Sequence, residues 1–211
     1  MKLEAIYETL RNHYGDLGWW PADTPFEVMV GAILTQNTAW TNVEKAIARF
    51  DGDLTPARIQ NLSHEELEEI IRPAGFYRQK ADYLKNLTAW FAHYKWDTTK
   101  AKDIPTENLR KELLAVRGIG NETADSILLY AFDRATFVVD AYTKRHFARI
   151  PVDAGKSYME IKRCCELSLP EDAILYSHFH ALIVENAKTH CRKTPRCTSC
   201  PLERLCAKKI A

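Results

Sequence analysis

Four of the six cysteines in this 211-residue chain, Cys191, Cys197, Cys200 and Cys206, lie near its C-terminal end with the spacing C-x5-C-x2-C-x5-C. In a reducing compartment, thiols this close together suit a metal centre better than disulfides. Zinc accepts four thiolates in a tetrahedron, and a [4Fe–4S] cluster needs the same four ligands. Spacing alone does not choose between them. His190, beside Cys191, is a rival ligand, but four cysteines already complete either site. The same stretch is basic. Lys188, Arg192, Lys193, Arg196, Arg204, Lys208 and Lys209 stand against Glu203 alone, in a chain whose net charge is only +1. A polar tail is often just a solvated surface, but here it coincides with the cysteines and could both offset thiolate charge and meet nucleic-acid phosphates. Cys164 and Cys165 read as buried core thiols.

A second group of residues with chemical potential lies between Leu113 and Asp140. Leu113-Leu-Ala-Val-Arg-Gly-Ile-Gly-Asn-Glu-Thr-Ala-Asp-Ser-Ile127 reads as two short helices joined by a glycine turn. Leu109, Leu113 and Val116 mark an apolar stripe on the first; Ala124, Ile127, Leu128 and Ala131 mark one on the second. Gly118 and Gly120 let the backbone turn where side chains would clash, and Asn121 can cap the second helix. A glycine turn opening a helix bares N–H groups that suit a phosphate. Phe137-Val-Val-Asp140 then delivers a carboxylate. Taken by itself, Asp140 is an N-cap for the helix beginning Ala141-Tyr-Thr-Lys.

The elements that must position these groups are helices. Met1–His13, Pro25–Leu34, Thr41–Phe50, His64–Ile71, Gln79–Tyr94, Thr106–Val116, Asn121–Tyr130, Ala141–Ile150, Tyr158–Leu167 and Glu171–Lys188 carry helical spacing or helix-start signals. Ser63 with Glu66 forms a capping-box pattern. Breaks fall at Pro56, Pro73-Ala-Gly75, Pro105, Pro151 and Pro170. Thr136–Val139 is too short a strand pattern to change the class, which is all-α. With 46% hydrophobic and 27% charged residues the composition is that of an ordinary globular protein with a real core. No apolar run approaches a membrane span and the N-terminus lacks a signal-peptide pattern. A cytoplasmic protein is the expectation.

The Gly-Ile-Gly hairpin with Val-Asp downstream resembles the helix-hairpin-helix DNA glycosylases of the endonuclease III superfamily, and the resemblance runs through most of the chain. Gly31-Ala-Ile-Leu-Thr-Gln-Asn-Thr38 matches the family helix whose end carries a glutamine that fills the gap left by an extruded base, which implies that role for Gln36. Gly75-Phe-Tyr-Arg-Gln-Lys-Ala81 matches the family's Gly-x-Tyr-x-x-Lys-Ala turn, making Phe76 an apolar wedge. Lys80, Gly118, Gly120, Arg192, Lys193 and Arg196 complete the implied DNA contacts. An enzyme acting on a base must unstack it and stabilise the hole. Seen alone, Gln36 would be a polar helix-end residue and Phe76 a core aromatic. The family's C-terminal [4Fe–4S] loop implies that cofactor for the four cysteines, although the common pattern has six residues between the first two and this chain has five. The implied architecture is two helical lobes. Residues 22–132 form the central lobe with the hairpin, and 1–21 with 133–211 form the cluster lobe. A monomer would bind double-stranded damaged DNA across the cleft where Asp140 would lie.

The resemblance also speaks to reaction type. Bifunctional members have lysine where this chain has Glu122, and a carboxylate cannot form the Schiff base that the amine forms. The implied enzyme is monofunctional, cutting the base–sugar bond with water. Glu122 is either a pocket residue or an acid favoured by the first-turn dipole. Asp140, eighteen residues after Glu122, falls in the register of the family's essential aspartate. There it can stabilise an oxocarbenium-like sugar and orient or deprotonate water. Gly-Ile-Gly-x-Glu-Thr-Ala-Asp-x-Ile-Leu with Val-Val-Asp-x-Tyr, Thr35-Gln-Asn-Thr-Ala-Trp40 and Trp20-Pro21 is most similar to the 3-methyladenine branch, where aromatic residues stack on the flipped base. Trp20, Pro21 and Trp40 are the pocket candidates; Trp19, Trp20, Trp40 and Tyr142 could equally be core aromatics. The alternatives are a glycosylase for oxidised pyrimidines or mismatched bases, or a noncatalytic lesion-binding protein.

Overall fold

The computed structural model describes residues 3–207. Lys208 and Lys209 of the basic tail, and Met1 and Lys2 of the expected first helix, lie outside the described residues. Among the described residues the chain is helix, turn and loop with no strand, and Thr136–Val139 is loop. The helices in order are α1 (Leu3–Tyr14), α2 (Pro25–Leu34), α3 (Trp40–Ala48), α4 (Pro56–Asn61), α5 (His64–Ile71), α6 (Tyr77–Ala92), α7 (Thr106–Ala115), α8 (Asn121–Ala131), α9 (Ala141–Arg149), α10 (Tyr158–Ser168) and α11 (Ala173–Thr189). They divide into two compact units, Trp20–Arg134 and Met1–Trp19 with Ala135–Ala211.

In the Trp20–Arg134 unit, α2 is the central element. Every residue from Val28 to Leu34 is buried, so this helix is apolar all round and must be covered on all sides. It packs against α8, α6 and α3. Thr24 caps it by accepting from the Glu27 N–H at 3.1 Å, with Pro25 in the first turn, where a missing N–H costs nothing. The capping box on α5 is present in both directions. Pro56, which reads as a break in the sequence, instead opens the short helix α4 behind a Thr55 cap. Six residues are too few to display a helical period, so only the contact of buried Ile59 with the core marks this element.

The second unit is organised around α11, whose Tyr176, Phe179 and Ala181–Val184 are buried. It packs against α1 and α9. Phe137 meets Tyr176 and Phe179 edge-on at 5.6 and 5.9 Å. Its N–H donates to Glu166 Oε1 at 2.9 Å, and that carboxylate also pairs with Lys162 one turn earlier on α10. The segment leading to Asp140 is therefore anchored by a side chain rather than by a sheet. Cys165 is fully buried, as expected, whereas Cys164 is only half-buried.

Candidate active site

The hairpin helices α7 and α8 are locked by a buried ion pair. Arg110 donates to both oxygens of Asp125 at 2.8 and 3.0 Å, and Asp125 is wholly buried. Charge-assisted bidentate pairs of this kind fix geometry strongly. Arg110 also donates to Asn121 Oδ1 at 2.8 Å. That contact corrects one expectation: Asn121 is the first helical residue and not the cap. Gly120 occupies the N-cap position and, being glycine, offers no side chain to cap the helix. The two glycines differ sharply. Gly118 has φ +99°, and a Cβ there would lie 2.1 Å from the Tyr83 ring; at Gly120 a Cβ would meet nothing within 4 Å. The start of α8, from Gly120 to Glu122, is thus exposed, and the first backbone N–H groups of a helix suit a phosphate. Glu122 is exposed on its first turn.

Gln36 and Phe76 are held by the same network. The Gln36 amide donates to the Gly118 carbonyl and to Thr123 Oγ1, both at 3.0 Å, which ties the end of α2 to the hairpin. Phe76 is 65% exposed and left-handed (φ 47°) at the start of α6. An exposed ring on a strained backbone persists only where its surroundings impose it, and core packing does not explain it. Lys80 differs from expectation. It is 2% exposed, and its ammonium donates to Leu34 O and Thr38 Oγ1 at 2.8 Å and to Ala74 O at 2.9 Å. Burial lowers its pKa to about 8. With three protein acceptors and no exposed head group, Lys80 does not reach DNA phosphates. It ties the Gln36 turn to the Phe76 turn from beneath.

The tryptophans part company. Trp20 lies edge-on to Trp40 at 5.3 Å and tilted against Tyr130 at 5.1 Å. Both tryptophans are half-buried, and Pro21 is exposed. Gly31 lies beneath them: a Cβ there would come within 3.4–3.5 Å of Trp20 and Trp40. Trp19, by contrast, belongs to the other unit, with the Lys188 ammonium 5.4 Å from its ring centroid. Tyr142 stacks under the Arg145 guanidinium at 5.1 Å.

Asp140 caps α9, accepting from the Thr143 N–H at 2.6 Å. Its other oxygen lies 3.5 Å from Nε2 of His180, a buried residue of α11. Burial alone would raise the Asp140 pKa, but His180 and the Thr143 N–H more than offset it and hold it below the usual 3.8. The carboxylate is therefore charged, half-buried and restrained at both oxygens.

The opposite end of α9 grips the cysteine loop. Arg145 donates to Cys191 O at 2.6 Å; Arg149 donates to Arg192 O at 2.6 Å and Lys193 O at 3.1 Å, with its Nη1 3.3 Å from Cys191 Sγ. The side chains of Arg192, Lys193 and Arg196 are exposed. Cys191, Cys197, Cys200 and Cys206 border one cavity together with His146, Arg149, Asn186 and Leu202. Burial raises the Cys200 thiol, and the nearby Cys191, Cys206 and Cys197 raise it further. Among the described residues no three His, Cys, Asp or Glu side chains are drawn together for a single metal ion. His190 is turned to the Arg196 carbonyl at 3.2 Å. Four soft sulfur donors at one cavity with an arginine at its wall match the chemistry of an anionic iron–sulfur group.

Residues 30–171 match the HhH-GPD superfamily of base excision DNA repair proteins. The chain belongs to that superfamily. It is 51% identical over 209 residues to a Methanocaldococcus jannaschii protein named "Putative DNA repair glycosylase", covering 97% of this chain and 95% of that one. The structure of a non-covalent endonuclease III–DNA complex superposes with a TM-score of 0.79 at 24% identity, over 98% of this chain and 94% of the other. Helicobacter pylori 3-methyladenine DNA glycosylase bound to 1,N6-ethenoadenine gives a TM-score of 0.77 at 28% identity, over 89% and 98%. This HhH-GPD protein is accordingly an endonuclease III-like, all-helical DNA glycosylase of base excision repair. Among the described residues no helix is long and apolar enough to cross a membrane.

Sequence reasoning missed Tyr130, His180, His146, Arg145 and Arg149. Tyr130 falls on the face of α8 next to its apolar stripe, a signal that helical spacing could have flagged. The two histidines and two arginines carry no signal of their own in one dimension, because their partners come from distant parts of the chain.

Proposed function

We propose that this HhH-GPD protein is a monofunctional glycosylase that hydrolyses the N-glycosidic bond of alkylated purines such as 3-methyladenine in double-stranded DNA. The observation that carries the reading is the Trp20–Trp40–Tyr130 cluster over Gly31. A methylated purine bears positive charge, and aromatic faces attract it. Such a base leaves as a neutral molecule with the electron pair of the glycosidic bond, so no general acid is needed. Asp140, charged and restrained, stabilises the positive charge that develops on the sugar and orients water for attack on its anomeric carbon. Glu122 cannot form an imine, so no lyase step follows. Gln36 and Phe76 serve the distorted duplex, and the exposed start of α8 with Arg192, Lys193 and Arg196 takes phosphates. The likeness to a 3-methyladenine glycosylase at 28% identity supports the substrate class. Cys191, Cys197, Cys200 and Cys206 would hold a [4Fe–4S] cluster, whose service is to fasten the loop and its basic residues.

The test is a panel of duplexes, each with a single lesion. Methylated purines should be released faster than neutral damaged bases. Trp40→Ala should lower release of the charged lesion by about 1–3 kcal/mol, with a smaller loss on a neutral base of similar size. Borohydride should trap no covalent protein–DNA adduct. Efficient trapping on an oxidised-pyrimidine duplex would replace this reading with the bifunctional one.

A further inference from the structure

His146, on α9, is 2% exposed, and among the described residues neither of its ring nitrogens has a hydrogen-bond partner. An imidazole carries at least one N–H in every protonation state, and native structures rarely leave a buried donor unmatched. A phenylalanine or leucine would fill the same space without that penalty. The ring borders the cavity shared by Cys191, Cys197, Cys200 and Cys206. It reaches that position because α9 is clamped on either side of it, at Arg145 and Arg149, to the backbone of the cysteine loop. A wall of four thiols with an unpartnered N–H beside them fits a sulfur-rich anion that accepts hydrogen bonds.

We propose that His146 is an outer-sphere partner of the iron–sulfur cluster, its ring N–H donating to a cluster sulfur and raising the reduction potential; this rests on assigning the four cysteines to a [4Fe–4S] cluster. Hydrogen bonds to the sulfurs are among the factors that set such potentials, and outer-shell partners orient and tune the ligands they touch. The reduced member of any couple carries one more negative charge, so a donor favours it. Arg149 acts in the same sense beside Cys191, and the share of His146 is read by difference.

The experiment compares wild type, His146→Phe and His146→Gln as purified holoproteins. Iron and sulfide per chain are measured first, then the potential by protein-film voltammetry. The phenylalanine variant should shift the oxidised-to-reduced ratio at fixed potential about tenfold towards oxidised, equivalent to about 59 mV for one electron. The glutamine variant, which keeps an N–H donor, should recover most of that shift. An unchanged potential in a fully loaded phenylalanine variant overturns the proposal alone. Equal shifts in both variants overturn it in favour of a volume or solvent effect, and cluster loss in both shows a packing role instead. Wild-type protein without iron and sulfide removes the cluster assignment itself, and this proposal with it.

Discussion

Asp140→Asn should slow base release severely while leaving the fold in place. Asparagine is as good an N-cap as aspartate, so its carbonyl can keep accepting from the Thr143 N–H that Asp140 now holds at 2.6 Å. What disappears is the negative charge that the proposed mechanism sets against the developing sugar cation, and losing one preorganised charge-stabilising group costs about 10²–10³-fold in turnover. Lesion-DNA affinity should stay within about tenfold, since the charge acts on what develops at the transition state. The melting temperature should fall modestly: the lost helix-dipole interaction is worth about 0.3–1 kcal/mol, and loss of the charge 3.5 Å from His180 adds to it. Single-turnover kinetics beside a thermal melt separate the two readings of this residue. Near-normal turnover by the variant leaves Asp140 as a cap alone.

Gly118→Ala should have the largest effect on stability of any single-methyl substitution in the hairpin. The new Cβ would sit 2.1 Å from the Tyr83 ring on a backbone at φ +99°. Overpacking costs about 1–3 kcal/mol, and the strained backbone adds about 1–3 kcal/mol. The Gln36 amide, which donates to the Gly118 carbonyl, would be dislodged as well. Gly120→Ala provides the control. With nothing within 4 Å of its Cβ and a φ of −96°, it should melt like wild type and lose only part of its grip on undamaged DNA. Adding Tyr83→Ala to Gly118→Ala should recover the overpacking share and not the backbone share. Equal melting temperatures for the two alanine variants would show that Tyr83 swings aside at no cost.

The sites were legible to different degrees. Helix positions followed from apolar spacing, and the caps at Ser63 and Asp140 from residue type, because both depend on neighbours within a turn. The Thr55-Pro56 helix was lost because proline marks a helix start and a chain break with the same residue. The inward turn of Lys80 is hidden from the sequence for a related reason. A lysine in a turn beside Phe76 has the sequence appearance of a phosphate contact, and only the convergence of Leu34 O, Thr38 Oγ1 and Ala74 O shows the charge turned inward.

By itself the sequence determined the all-helical class, the glycine hairpin and the four clustered cysteines. Tertiary structure alone decided that a side chain at Gly118 is strained while Gly120 has room. It also decided that Trp20 and Trp40 cluster while Trp19 does not, that Asp140 faces His180, and that His146 borders the cysteine cavity. The division has one physical cause. Helical periodicity, capping and ligand spacing are set by interactions between residues a few positions apart, and these are written along the chain. Burial, charge pairing and steric room are set by residues far apart in sequence, and they exist only once the helices have packed.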